Sequence, residues 1–141
     1  MQRATPSSPS PVAERIDRVR GSPEAVAAVQ RLQKERGSIL FVQSGGCCDG
    51  SMPMCFPVDE FIIGDLDLEL GSVAGAPVYI DRRQFDVWKD SQILLDVADG
   101  DPEGFSLGAG PGRHFVTRSH ICAPGTLRPP TAPRPSAMSG P

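Results

Sequence analysis

The chain has 141 residues, with 14 Lys and Arg against 17 Asp and Glu, and its formal net charge is −3. That length suits one small domain, and 39% hydrophobic residues are enough for a modest core. Mild acidity excludes duplex binding driven by overall charge, since phosphate binding needs a clustered basic face. No apolar run approaches the ~18 residues of a membrane-spanning helix, and the first residues show no secretory signal. We expect a soluble, cytoplasmic protein without a nucleic-acid or membrane partner.

Proline divides the chain into a folded part and two ends. Only five of the fifteen prolines lie between residues 24 and 122. The tail is too poor in apolar residues to offset the entropy of ordering it, and the first residues have a similar composition. We therefore predict a disordered segment over 1–21, a folded domain over 22–122 and a disordered Pro-rich tail over 123–141.

One helix is well marked near the start of the domain. Ser22 is a suitable N-cap, Pro23 is tolerated at the first helical position, and Gly37 is a suitable stop. Apolar residues between them fall on one stripe. Ahead of this helix, residues 13–20 predict only a short helical turn.

Seven short apolar runs predict about six strands in all. They cover residues 38–43, 61–63, 67–70, 78–80, 93–97, 104–107 and 114–117, with 61–63 and 67–70 split by Gly64. Asp81 followed by Gln84 predicts a capped short helix through Trp88, whose ring we expect to anchor that helix to the sheet. The sequence thus predicts a strand-rich α+β single domain with two helices, arranged as a HesB-like fold or a compact β-sandwich or barrel.

The most unusual stretch directly follows the buried run 38–43. It contains three cysteines within nine residues, Cys47, Cys48 and Cys55, and three glycines, Gly45, Gly46 and Gly50. Glycine lets backbone N–H groups approach a thiolate or a metal ligand closely, which lowers the thiol pKa. Soft thiolates select zinc, copper(I) or iron, including iron–sulfur iron. We therefore predict the three cysteines as metal ligands and the three glycines as residues that close the backbone around the site.

Two other interpretations of the same stretch stay open. The spacing does not match a zinc finger, so the thiols are alternatively redox-active, with a Cys47–Cys48 or Cys48–Cys55 disulfide, or they are buried thiols in a structural turn. Met52 and Met54 are alternative thioether ligands for copper(I), although Met beside Pro is more typical of packing. Asp49 is more typical of a turn than of a base.

Candidate ligands outside this stretch lie near the end of the domain. His114 precedes a strand-like run and is predicted as a fourth metal ligand, while His120 and Cys122 lie on one side of an extended chain and border the tail. Residues 59–103 hold twelve acids against three basic residues, and we interpret them as a solvated face. Neither a serine-hydrolase elbow nor a phosphate-binding loop motif occurs.

The quoted residues resemble a bacterial family catalogued as domain of unknown function seven-seven-nine. The resemblance covers about residues 25–120 and is carried by three stretches: Ser38-Ile39-Leu40-Phe41-Val42-Gln43-Ser44-Gly45-Gly46-Cys47-Cys48-Asp49-Gly50-Ser51 with Pro53-Met54-Cys55, Tyr79-Ile80-Asp81 with Gln84-Phe85 and Trp88, and Gly104-Phe105-Ser106-Leu107. It implies an accessory role beside an NAD-dependent aldehyde dehydrogenase. The acid that usually follows the last stretch is replaced here by Gly108.

A second resemblance concerns architecture. The order of helix, strand, Gly-Gly-Cys and Gly-Phe is similar to that of the HesB-like A-type iron–sulfur carriers, which implies a first cluster ligand at Cys47. Their closing Cys-Gly-Cys pair is absent, so a carrier site would need Cys48, Cys55, His114 or a partner subunit, possible in a homo-oligomer.

Three functional hypotheses follow. The first is an accessory protein that binds a soft metal or an iron–sulfur cluster and supports an aldehyde dehydrogenase or a related oxidoreductase. The second is a thiol–disulfide protein that protects the catalytic cysteine of the dehydrogenase. The third is a structural interaction module without metal. An independent enzyme is the least favoured, because no His or carboxylate is placed by sequence beside a cysteine.

Overall fold

The computed structural model describes residues 15–43, 53–102 and 106–132. These residues form seven strands and two α-helices, which confirms the predicted strand-rich α+β class. In chain order the elements are β1 (Val19–Gly21), α1 (Pro23–Arg36), β2 (Ile39–Gln43), β3 (Met54–Pro57), β4 (Asp67–Val73), β5 (Ala76–Asp81), α2 (Phe85–Trp88), β6 (Ser91–Asp99) and β7 (Arg113–Ile121). Short 3-10 turns at Val58–Glu60 and Arg82–Gln84 follow β3 and β5. No described helix is long and apolar enough to cross a membrane.

Helix α1 begins and ends where its sequence predicts. The Ser22 hydroxyl accepts a hydrogen bond from the Ala25 N–H at 3.1 Å, and Pro23 occupies the first turn. Gly37 ends the helix with a φ of 81°, a conformation that glycine adopts without a Cβ clash. The predicted stripe is buried and comprises Ala25, Ala28, Val29 and Leu32.

The larger sheet has four strands in the order β3-β2-β5-β4. Strand β2 is central, antiparallel to β3 and parallel to β5, while β4 is antiparallel to β5. Leu40 and Phe41 on opposite faces of β2 are both fully buried. The sequence of a strand that is covered on both faces is a continuous apolar run. For that reason β2 is the strand most clearly predicted by the sequence.

The smaller sheet has three strands in the order β1-β6-β7. Strand β1 is parallel to β6, and β6 is antiparallel to β7 over nine consecutive pairs from Ser91↔Ile121 to Asp99↔Arg113. Along β7, Phe115 and Thr117 face inward and are buried, whereas Arg118 and His120 are exposed. The smaller sheet therefore has one core face and one largely exposed face, the solvent face, on which Val116 is the buried residue of β7.

The two sheets pack face to face around a shared core. The Phe41 and Phe115 rings meet edge to face, with centroids 4.9 Å apart. Along one side, a Cβ added at Gly71 of β4 would lie 3.2 Å from the Val19 Cβ of β1, so the two sheets approach closely there. Helix α1 adds its buried stripe to the same core. The arrangement is a compact two-sheet sandwich.

Three local predictions were wrong in the described residues. Val19–Gly21 forms β1 rather than part of a helical turn, because it pairs in parallel with residues 93–95 of β6. Residues 61–63 form no strand, since Phe61 stacks on Phe56 and Ile62 is 90% exposed. Strand β3 was not predicted at all, because Met54–Pro57 follows Pro53 and ends at a second proline. Of the predicted strand at 104–107, residues 104 and 105 lie outside the described residues, and Ser106 and Leu107 form no strand.

Contacts extend on both sides of the predicted domain limits. Ile16 forms a parallel bridge with Leu127, which is buried, and Glu69 of β4 forms an antiparallel bridge with Thr131. Residues 126–131 thus lie along the side where β1 meets β4. The limits at 22 and 122, and the disorder beyond them, stay predictions.

Candidate functional site

Only some residues of the predicted thiol site lie in the part of the chain that the structure describes. Gly45, Gly46, Cys47, Cys48 and Gly50 lie outside the described residues, whereas Cys55 and His114 lie within them. The site is therefore built up from the two strands on which residues 44–53, the cysteine loop, begin and end.

The cysteine loop connects two neighbouring antiparallel strands. Strand β2 ends at Gln43, β3 begins at Met54, and Val42 pairs directly with Met54. Directly paired residues have Cα atoms about 4.5–5.5 Å apart. The last described residues before the loop and the first ones after it therefore lie close together at one end of the sheet.

A buried polar contact fixes the start of the loop. Gln43 is 2% exposed, and its side-chain carbonyl Oε1 accepts a hydrogen bond of 2.7 Å from the Thr117 hydroxyl. Thr117 is fully buried on β7, in the opposite sheet. The contact ties Gln43, the last described residue before the cysteine loop, to the smaller sheet.

Cys55 lies in the core. It is fully buried on β3 opposite Phe41. Its N–H donates to the Ser106 hydroxyl at 2.8 Å, and its carbonyl accepts from the Leu107 N–H at 2.8 Å. Burial raises the pKa of the Cys55 thiol to about 12. Because the thiolate is the nucleophile and the metal ligand, this neutral thiol is poorly suited to either role in this conformation.

His114 lies on the other sheet. It neighbours the inward-facing Phe115 on β7, and its ring nitrogen Nδ1 is 3.1 Å from the Gly100 carbonyl. A carbonyl only accepts, so Nδ1 is the donor in this contact. Side chains alternate along a strand, which places His114 on the solvent face. The structure does not bring His114 and Cys55 together.

The remaining cysteine and histidine lie at the end of β7. Cys122 is a half-buried free thiol whose Sγ is 3.8 Å from the His120 carbonyl, and its N–H donates to the Asp90 carbonyl at 2.8 Å. The His120 ring is exposed. Within residues 15–43, 53–102 and 106–132, no three His, Cys, Asp or Glu side chains are grouped so that they could hold a metal ion.

Two acids of the acidic region have structural partners. Asp81 caps the turn after β5 and pairs with Arg83 at 2.7 Å, and the hydrogen bonds from Arg83 lower the Asp81 pKa to about 2. Asp96 accepts from the Ser22 hydroxyl at 2.8 Å, the main cause of its lowered pKa. Trp88 is 2% exposed and belongs to the core, as the sequence predicts.

Three residues of this region were not predicted. Gln43, Thr117 and Ser106 form the polar frame around the loop base and Cys55. The role of Gln43 could have been predicted from the sequence, since it is a polar residue at the end of a fully apolar strand. The roles of Thr117 and Ser106 could not, because their partners come from distant parts of the chain.

The fold and the loop base define a small two-sheet α+β protein with a cysteine-rich hairpin loop. Residues 28–121 match the family described as Domain of unknown function (DUF779), and the chain belongs to that family. The match spans the cysteine loop, its two flanking strands and Thr117. No curated protein and no solved structure matches the chain.

Proposed function

We propose that this protein is a thiol–disulfide accessory protein whose reactive groups are Cys47 and Cys48. One observation supports the choice of these two thiols. Cys55, the third cysteine of the predicted set, is sealed in the core with a pKa of about 12. This leaves two adjacent thiols in the loop held by Gln43 and Met54.

Two thiols suffice for disulfide exchange. Oxidation of the pair forms one S–S bond, and the two electrons and two protons reduce a disulfide of the substrate to two thiols. Adjacent Cα atoms are about 3.8 Å apart, closer than the ~4.4–6.8 Å of ordinary disulfides. A Cys47–Cys48 disulfide would therefore be strained and readily reduced, so the dithiol would pass its electrons only to a more strongly oxidising group, such as a sulfenic acid or another strained disulfide.

The test is to equilibrate the protein in glutathione buffers of graded ratio, trap the remaining thiols and count them by mass spectrometry. The wild type should lose two thiols together, and Cys55→Ala should do the same. Cys47→Ser and Cys48→Ser should each lose the ability to form the intramolecular bond. The proposal fails if the oxidised pair includes Cys55, or if Cys47 and Cys48 stay reduced in every buffer.

A second candidate function is binding of zinc, copper(I) or an iron–sulfur cluster by the same two thiolates. The sealed Cys55 and the outward-facing His114 do not complete such a site, because structural zinc requires four ligands. Two copies of the cysteine loop would supply four thiolates, so binding of zinc or an iron–sulfur cluster by these thiolates requires a homodimer, whereas copper(I) can be held by two thiolates of one chain. Elemental analysis of anaerobically purified protein, combined with its mass in solution, tests it: one zinc or one iron–sulfur cluster per two chains, or one copper per chain, supports it, and metal-free protein that takes none up excludes it.

The proposed partner is an aldehyde dehydrogenase, and this proposal rests on the family resemblance. The Cys47–Cys48 dithiol would reduce a sulfenic acid on the catalytic cysteine of that enzyme to the thiol, while the dithiol becomes a disulfide and the sulfenic oxygen leaves as water. The test is recovery of dehydrogenase activity after mild oxidation, with wild-type protein compared with Cys47→Ser. If both proteins bind the enzyme and neither restores activity, the third hypothesis, a structural interaction module, is supported instead.

A further inference from the structure

The solvent face of the smaller sheet carries a cleft of about 180 Å³. It is lined by Arg20, Gln92, Leu94, Arg118, Ser119 and His120. Neighbouring strands supply these residues: Arg20 pairs with Leu94, which pairs with Arg118, and Gln92 pairs with His120. The cleft therefore spans all three strands of a rigid sheet.

The register places cationic groups on both sides of an apolar floor. Leu94 is half-buried in the middle strand, with Arg20 on one side and Arg118 on the other. His120 follows Arg118 by two residues and so lies on the same face. Strands in a sheet are about 4.8 Å apart, so the two guanidinium groups can reach a ligand above Leu94 from opposite sides.

Two of the polar groups are already oriented. Gln92 Nε2 donates to the Asp17 carbonyl at 2.9 Å, which fixes its carboxamide at the edge of the cleft. Arg118 Nε lies 3.4 Å from Asp96 Oδ2. Groups held in place before binding lose less entropy when a ligand arrives.

The local charge is opposite to that of the chain. The chain carries a net charge of −3, yet Arg20 is exposed and makes no ion pair within the described residues. The nearby Asp96 is shared by Arg118 and the Ser22 hydroxyl. Arg118 thus shares one carboxylate and Arg20 shares none within the described residues, so the cleft suits an anion.

We propose that this cleft binds the phosphoryl group of a small molecule. Arginine offers a planar fork of N–H donors that matches phosphate oxygens. Donors from Arg20, Arg118 and His120 approach from different directions, which suits a tetrahedral group better than a planar carboxylate. The cleft lies on the outer face of the smaller sheet, while Thr117 and the cysteine loop base lie on the inner side, so the proposal is independent of the thiol function.

The test is an amide-shift NMR titration of the full chain with inorganic phosphate at constant ionic strength. Saturable shifts should be centred on residues 92–94 and 118–120. Arg20→Gln and Arg118→Gln should each weaken binding at least about tenfold, which is about 1.4 kcal/mol, since each variant removes a charge-assisted hydrogen bond to the phosphate. The matched control is Arg36→Gln, an exposed arginine at the end of α1, which should leave the affinity unchanged.

Three results would overturn the proposal. They are shifts that do not saturate, shifts spread over all basic residues, and an Arg36→Gln variant that weakens binding as much as the cleft variants. A parallel titration with acetate distinguishes phosphate from carboxylate recognition. Acetate binding as tight as phosphate binding would contradict the proposed chemistry.

Discussion

Thr117 Oγ1 donates a 2.7 Å hydrogen bond to Gln43 Oε1, and this bond joins the two sheets at the residue where the cysteine loop begins. Both side chains are buried, so water cannot replace either partner. The contact therefore holds Gln43, the residue that precedes the cysteine loop, against the smaller sheet.

Replacing Thr117 by Val should destabilise the protein by about 1–3 kcal/mol, because Gln43 would lose a buried hydrogen-bond partner. The matched variant Thr117→Ser keeps the hydroxyl and loses only a methyl group. Urea unfolding of the two variants gives the comparison. A Thr117→Val protein at least as stable as Thr117→Ser would contradict the role assigned to the contact.

The Ser106 hydroxyl should protect the Cys55 amide. It accepts the Cys55 N–H at 2.8 Å, so Ser106→Ala should speed hydrogen exchange of that amide and destabilise the fold by about 1 kcal/mol. Ser38→Ala, at an exposed position, is the control and should change neither quantity. Unchanged exchange at Cys55 in Ser106→Ala would show that the contact does not protect β3.

Cys55 should make the protein less stable at alkaline pH. Burial raises its pKa from 9.0 to about 12, so between these values the unfolded chain loses this proton while the folded chain keeps it. The stabilisation is complete below pH 9 and is lost as the pH rises toward 12, with a slope of up to about 1.4 kcal/mol per pH unit.

The variant Cys55→Ala should therefore show a flatter decline of unfolding free energy between pH 8 and pH 10.5, measured under reducing conditions. Val78→Ala removes buried apolar atoms from the same core without removing a titrating group. It should lower the stability and keep the wild-type slope. Equal slopes in Cys55→Ala and the wild type would refute the assignment of Cys55 as a buried neutral thiol.

The Asp81–Arg83 pair should control acid titration at the end of β5. Hydrogen bonds from Arg83 lower the Asp81 pKa from 3.8 to about 2, so the associated stability is present above pH 3.8 and is lost as the pH falls toward 2. Arg83→Gln should return the Asp81 pKa toward 3.8, as followed by carboxyl NMR. Arg82→Gln, which removes the neighbouring guanidinium bonded to the Asp65 carbonyl, should leave it low; equal shifts in both variants would rule out a specific pair.

The sequence was sufficient to predict those elements whose signals lie within their own segments. Helix α1 has its cap, its proline and its terminal glycine within the segment, and β2 is apolar on both faces because both faces are covered. These elements depend little on distant residues, so their prediction was confirmed.

The missed strands depend on distant partners. Val19–Gly21 is a strand because β6, some seventy residues later, lies beside it. Met54–Pro57 is short, follows one proline and ends at another. It pairs with β2 on one side and is hydrogen-bonded to Ser106 and Leu107 on the other. No periodicity within three or four residues can show such pairing.

The sequence predicted which residues make up the candidate site but not how they are arranged in space. Adjacent cysteines and glycines identify the loop, but whether a given cysteine faces solvent or core depends on strand register. Cys55 is opposite Phe41, and that pairing places its thiol in the core. For Cys47 and Cys48 the predicted role rests on the sequence and on the strands that flank them.

The most direct measurement of the central claim is the stoichiometry of phenylarsine oxide on the reduced protein, since trivalent arsenic bridges two nearby thiolates. We expect one arsenic per chain in the wild type and in Cys55→Ala, and no stable adduct in Cys47→Ser or Cys48→Ser. An adduct that survives loss of Cys47 or Cys48 but disappears in Cys55→Ala would contradict the account, because the reactive pair would then include the thiol that lies in the core.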